Sequence, residues 1–253
     1  MFRRFALPIA IVLVTTSASA DSLTVAVASN FAGPAREIAG QFEAESGHAL
    51  RIVTGSTGKL YAQISAGAPF DVFLSADEDA PARLLHEGLA TASSRYALGV
   101  LVIASADPEL ADASCRDALL TADGDTVAIA NPKTAPYGRA AKEFLDASGR
   151  RAELRIVHGE NVAQAMHFVA SGSARFGLVG AGQFRAVREA WPGCSARLSD
   201  EDVPPIPQAA ALLERASGDS AARAFFAYLF SVEARSTIAS WDYGLPPLTL
   251  DEE

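Results

Sequence analysis

The chain has 253 residues, with 21 Lys and Arg against 30 Asp and Glu and a formal charge of −9. That acidic balance argues against nucleic acid or an anionic membrane surface as a partner, because both carry negative charge themselves. The length suffices for one large domain or two modest ones, each with a core of its own.

Arg3 and Arg4 precede an apolar run from Phe5 to Val14, and Ala18-Ser19-Ala20 has the small-x-small pattern that a signal peptidase accepts. Residues 1–20 are therefore expected to be a signal peptide cleaved after Ala20, leaving a free periplasmic protein that begins at Asp21. The apolar run is short for a bilayer span, which needs about 20 residues, and no cysteine stands at the cleavage point to carry a lipid. Losing Arg3 and Arg4 leaves 19 basic residues against 30 acidic ones, a formal charge of −11.

Leu23 to Ala28 is a continuous apolar, β-prone run, the pattern of a strand covered on both faces in a parallel sheet. It stops at Ser29-Asn30. Beyond Gly33-Pro34, the residues Ala35, Ile38, Ala39 and Phe42 recur at helical spacing, with Pro34 suited to a first helical turn. A strand near Leu50 to Val53 then runs into Gly55-Ser56-Thr57-Gly58, after which Leu60 and Ile64 predict a short helix. Phe70 to Leu74, ending in Ser75-Ala76-Asp77, repeats the unit.

Further strands are predicted at Val100 to Ile103, Thr126 to Ala130, Leu154 to Val157 and Phe176 to Val179, with helices from about Gly138 to Asp146 and from about Asn161. Pro204-Pro205-Ile206-Pro207 predicts a stiff extended connection into the apolar run Ala209 to Leu213, and helical patterns over Ser220 to Phe230 and Val232 to Trp241 close the chain. The alternation indicates an α/β architecture with parallel sheets. So many strands exceed one simple wound sheet. We therefore expect two lobes, with residues 21–98 in lobe I, 99–206 in lobe II, and 207–253 returning to lobe I. Cys115 and Cys194 are the only cysteines; spacing alone leaves open both a disulfide and two buried thiols.

Open α/β sheets bind ligands where strands end and helices begin. Four such junctions carry short polar residues or bare amides: Ser29-Asn30, Ser56-Thr57, Pro136-Tyr137-Gly138 and Asn161-Val162. Helix N-termini present unsatisfied N–H groups and about half a positive charge, so several converging on one point hold an anion without a lysine. Taken singly, each Ser or Asn is an ordinary N-cap.

These residues support a family resemblance. Ala28-Ser29-Asn30, Gly55 to Leu60, Gly67 to Asp77, Pro136-Tyr137-Gly138 and Gly159-Glu160-Asn161-Val162 stand in the order seen in periplasmic molybdate-binding proteins of ABC importers, the ModA family. The resemblance implies a two-lobed periplasmic binding protein fold, hinged, with a ligand cleft between the lobes. It also implies capture of molybdate or tungstate without covalent chemistry, and delivery to an ABC permease of the inner membrane. Ser29 and Ser56 would donate through hydroxyl and amide, and Tyr137 and Val162 mainly through backbone amides. Asn30 would compensate for a tyrosine that some members carry where this chain has Gly180. No cofactor is expected, any metal enters only as the oxyanion, and the protein is expected to act as a monomer.

Other readings require features that the sequence does not supply. Gly55 to Lys59 suggests a phosphate loop, but Val53 stands where that pattern needs its first Gly and Leu60 where it needs Ser or Thr. His48, His86, His158 and His167 form no HExxH or paired pattern, and no cysteine-pair metal site is present. Lys59 and Lys133 are expected on solvated faces. Two alternatives remain: a receptor for sulfate, phosphate or an organic anion, and an exported hydrolase using Ser29 or Ser56. The first would show itself for phosphate as a carboxylate in the cleft, the second as a histidine within about 3.2 Å of the serine.

Overall fold

The structure, a computed structural model, describes residues 22–247. The expected signal peptide, its cleavage point at Asp21 and the acidic terminus 251–253 lie outside the described residues. Two α/β lobes follow, each built on a five-stranded sheet. The first begins with β1 (Leu23–Ala28), α1 (Ala32–Ser46), β2 (Leu50–Gly55), α2 (Thr57–Ser65), β3 (Val72–Leu74), α3 (Asp79–His86) and β4 (Ala90–Gly99). The second contains β5 (Leu101–Ala104), α4 (Cys115–Thr121), β6 (Thr126–Ala130), α5 (Pro136–Ala147), β7 (Arg155–Gly159), α6 (Val162–Ala170), β8 (Phe176–Gly180), α7 (Ala181–Arg185) and β9 (Ser195–Arg197). The chain returns to the first sheet as β10 (Ile206–Leu213), followed by α8 (Ser220–Tyr228) and α9 (Val232–Ser240).

The two sheets share one plan. In the order β2-β1-β3-β10-β4, β1 is parallel to β2 and β3, while β10 is antiparallel to β3 and β4. In the order β7-β6-β8-β5-β9, β6 is parallel to β7 and β8, while β5 is antiparallel to β8 and β9. The sheets are thus mixed, not wholly parallel as the alternation predicts. The antiparallel strands are the ones by which the chain changes lobe: it passes from β4 through Val100 into β5, and returns through residues 198–205 into β10.

Local chemistry accounts for the elements nearest the cleft. All six residues of β1 are buried, as a central strand with helices on both faces requires. Helix α1 buries Pro34, Ala35, Ile38, Ala39 and Phe42 and stops at Gly47, whose φ of 74° no branched residue accepts readily and whose N–H bonds the Glu43 carbonyl. Residues from both faces of the first sheet form separate cores, one around Phe31, Ile38 and Phe225, the other around Leu60, Phe73 and Leu84. The core of the second lobe gathers around Ile103, Ile129, Phe144 and Leu178, and it takes in Ala28 and Ala76 from the first lobe. Cys115, the first residue of α4, and Cys194, just before β9, form a disulfide with their Cα atoms 5.3 Å apart. The question the sequence left open is answered by this packing. Among the described residues, no helix is long and apolar enough to cross a membrane.

Candidate functional site

Four strand-to-helix junctions meet between the lobes. From the first lobe, β1 ends in a tight turn at Ser29–Phe31 that leads into α1, and β2 ends at Gly55, ahead of Ser56, the N-cap of α2. From the second, β6 leads through residues 131–135 to α5, with Pro136 in the first turn where its missing N–H costs nothing. There β7 also ends at Gly159, ahead of Asn161, the N-cap of α6.

Ser29, Asn30, Ser56, Tyr137 and Val162 all line one small cavity at this meeting point. Thr57 and Asn161 line it too. No residue in its wall is charged, and none is a histidine. Its volume is about 10 Å³, far below the roughly 300–1,000 Å³ of pockets that enclose drug-sized organic ligands. A larger depression of about 470 Å³, lined by Glu37, Arg185, Val187 and Trp241 among others, contains none of the predicted site residues.

The hydrogen bonds sort these residues into two kinds. Asn161 is an ordinary cap: its side chain accepts from Gln164 N at 3.1 Å. Thr57 is also engaged, its hydroxyl accepting from Ala76 N at 3.0 Å. Ser56 is neither. It is 3% exposed, its side chain makes no capping bond, and its Oγ is buried without a hydrogen-bond partner. A buried hydroxyl left unbonded costs about 1–3 kcal/mol, so native proteins rarely leave one.

Asn30 is placed differently from its expected role. Its Nδ2 donates to Gln208 Oε1 at 2.8 Å and to the Tyr243 hydroxyl at 3.2 Å, which occupies both amide hydrogens. Its carbonyl accepts from the Tyr243 hydroxyl at 2.6 Å. What Asn30 can still offer the cavity is its backbone N–H. Tyr137 likewise turns its hydroxyl away, accepting from Gln208 Nε2 at 3.1 Å. Burial pushes the hydroxyls of Tyr96, Tyr137 and Tyr243 well above the ordinary tyrosine range, so all three stay protonated and add no negative charge beside the cavity. Gly180 ends β8 outside the cavity wall. A Cβ there would stand 3.2 Å from Tyr137 Cε1, so the ring of Tyr137 fills the space that a side chain at 180 would need.

Contacts outside the cavity strap the lobes together. Lys59 pairs with Glu160 at 2.6 Å and Arg139 with Asp77 at 2.7 Å, and Gly58 N donates to the Thr134 carbonyl at 2.9 Å. Lys59 and Lys133 are both exposed, and neither lines the cavity. The histidine that the hydrolase reading requires beside a serine is not among the contacts of the described residues. None of the hydrogen bonds among the described residues joins a histidine to Ser29 or Ser56. The carboxylate that phosphate would favour is also missing from the cavity wall.

Gln208 is the residue that sequence reasoning missed. Its signal is one amide inside the strand Ile206–Leu213, where every neighbour from Ala209 onward is apolar.

Residues 23–244 match the family model described as bacterial extracellular solute-binding protein. The molybdate-binding protein ModA of Azotobacter vinelandii is 39% identical over 238 residues, covering 92% of this chain and 94% of that one. ModA of Rhodobacter capsulatus is 39% identical over 231 residues, 89% of each chain. The solved periplasmic molybdate-binding protein of A. vinelandii superimposes with a TM-score of 0.81 at 35% identity, over 89% of this chain and 100% of that one.

Proposed function

This chain belongs to the bacterial extracellular solute-binding proteins, in their molybdate-binding ModA group, and from that membership we propose that it captures molybdate or tungstate in the periplasm for an ABC permease. The observation that carries the reading is Ser56 Oγ, a buried hydroxyl with no partner in the wall of a cavity too small for an organic ligand. Helix N-termini and the Ser29 and Ser56 hydroxyls supply neutral donors. These compensate a dianion without introducing a buried countercharge that needs solvation of its own. Ser29 and Ser56 donate through hydroxyl and amide, and Asn30, Tyr137 and Val162 through backbone N–H. The proposal includes cleavage after Ala20, a monomeric product and no covalent chemistry.

Selectivity follows from size. Donors spaced for a larger tetrahedral oxyanion cannot all reach sulfate, and each buried donor left unmet costs about 1–3 kcal/mol. Thermal unfolding with a panel of oxyanions tests this, since a ligand that binds only the folded state raises the melting temperature by mass action. Molybdate and tungstate are expected to raise it at concentrations where sulfate and phosphate do little. Equal stabilisation by sulfate would defeat the size argument, and stabilisation by none would defeat the reading.

A further inference from the structure

Gln208 is wholly buried on β10, the strand by which the chain re-enters the first lobe. An amide buried there is costly unless its hydrogen bonds are made. Oε1 accepts from Asn30 Nδ2 at 2.8 Å and from the Tyr96 hydroxyl at 3.2 Å, while Nε2 donates to the Tyr137 hydroxyl at 3.1 Å. Asn30 belongs to the first-lobe wall of the cavity and Tyr137 to the second-lobe wall. One side chain thus bonds both walls at once. It does so beside the crossover: a Cβ on Gly99, the last residue of β4, would fall 2.1 Å from the Tyr137 hydroxyl oxygen and 2.5 Å from Gln208 Nε2. Tyr96 has one hydroxyl hydrogen, shared between Gln208 Oε1 and the Ser75 carbonyl, which lies 3.1 Å away.

We infer that Gln208 is a positioning residue that ties the two walls of the cavity to each other when the lobes are together, and so sets how long the bound oxyanion is held. It touches no ligand. By occupying the side chains of Asn30 and Tyr137 it fixes two residues that line the cavity, and its bond to Tyr137 requires the walls to be in register. The inference rests on the oxyanion reading of the cavity.

The test uses radiolabelled molybdate, filter retention and a chase of unlabelled ion. Gln208→Met keeps length and volume but makes none of the three bonds. It is expected to raise the dissociation rate about tenfold, as loss of a buried hydrogen bond implies, with the association rate changed less than about threefold. Tyr137→Phe, which removes the hydroxyl that Nε2 meets, is expected to act in the same direction. Because the two residues share one bond, the double variant should lose much less than the product of the single effects. A general loosening of the fold would lower the melting temperature without this pattern of rates and coupling. A wild-type dissociation rate in Gln208→Met, or single effects that multiply in full, would overturn the inference while leaving the oxyanion reading intact. Should Gln208→Met fail to fold, Tyr137→Phe decides alone, and an unchanged rate would overturn it. If the wild-type protein retains no molybdate, the oxyanion reading falls and this inference falls with it.

Discussion

Ser56 and Asn161 stand at equivalent places, each the N-cap of a nine-residue helix whose first turn faces the cleft. Their side chains do different work, and substitution separates the two roles. Asn161→Ala removes a bond to Gln164 N and is expected to cost about 1 kcal/mol of stability with or without ligand. Ser56→Ala removes a hydroxyl that bonds nothing in the protein, so the melting temperature without ligand should not fall. Molybdate affinity should fall by about 1–3 kcal/mol, roughly five- to 150-fold. Calorimetric titration together with ligand-free melts measures both halves. A Ser56→Ala protein that melts lower but binds normally would make that residue a structural one.

At the level of elements, α5 is placed by close approach. A Cβ on Gly138 would lie 2.3 Å from the Ala130 carbonyl oxygen and 2.7 Å from its carbon, both backbone atoms that cannot swing aside. Gly138→Ala is therefore expected to push the first turn of α5 off the end of β6, destabilising the protein by about 1–3 kcal/mol and weakening molybdate binding. Denaturant unfolding and titration of the same sample check it. Elements of this kind were legible because apolar period and punctuation coincide: β1, β6, α1 and α5 have unbroken apolar faces bounded by Gly, Pro or Asn. The longest strand was not. β4 is an edge strand whose Thr91, Ser93, Ser94 and Arg95 lie partly or fully in solvent, so the run has no apolar signature, and apart from one bridge between Leu98 and Gly244 its ladder is made by β10. β10 itself begins at Ile206, earlier than its apolar run, because Pro207 sits where the strand has β4 on one side and β3 has already ended. The junction residues of the site were legible for the same reason as the helices they start. Gln208 was not, since its partners lie 71 to 178 positions away and no local pattern announces a contact of that range.

Across the whole molecule, the disulfide acts on one lobe only. Cys115 and Cys194 both belong to the second lobe and close a loop of 79 positions. In the chain-entropy account a loop of that length stabilises by about 4.5 kcal/mol. Reduction, or Cys115→Ser with Cys194→Ser, is expected to lower the denaturation midpoint by a corresponding amount. Affinity for molybdate in the folded protein should be unchanged, because neither cysteine lines the cavity. An affinity that fell with the disulfide would show that the cross-link also shapes the cleft.

The unbonded hydroxyl of Ser56 also bears on honesty in signalling. If an importer recognised the closed shape and not the cargo itself, a carrier that shut without an anion would report falsely that it was loaded. The straps across the cleft mouth, Lys59 to Glu160 and Arg139 to Asp77, have side chains that are 49% and 55%, and 42% and 13%, exposed, and pairs of that kind contribute about 0.2–1 kcal/mol each. Closing over no anion would strand Ser56 Oγ at about 1–3 kcal/mol, which offsets what such a strap supplies. An oxyanion that accepts from that hydroxyl would remove the cost, so closure would favour the loaded carrier and the closed shape would be a truthful message.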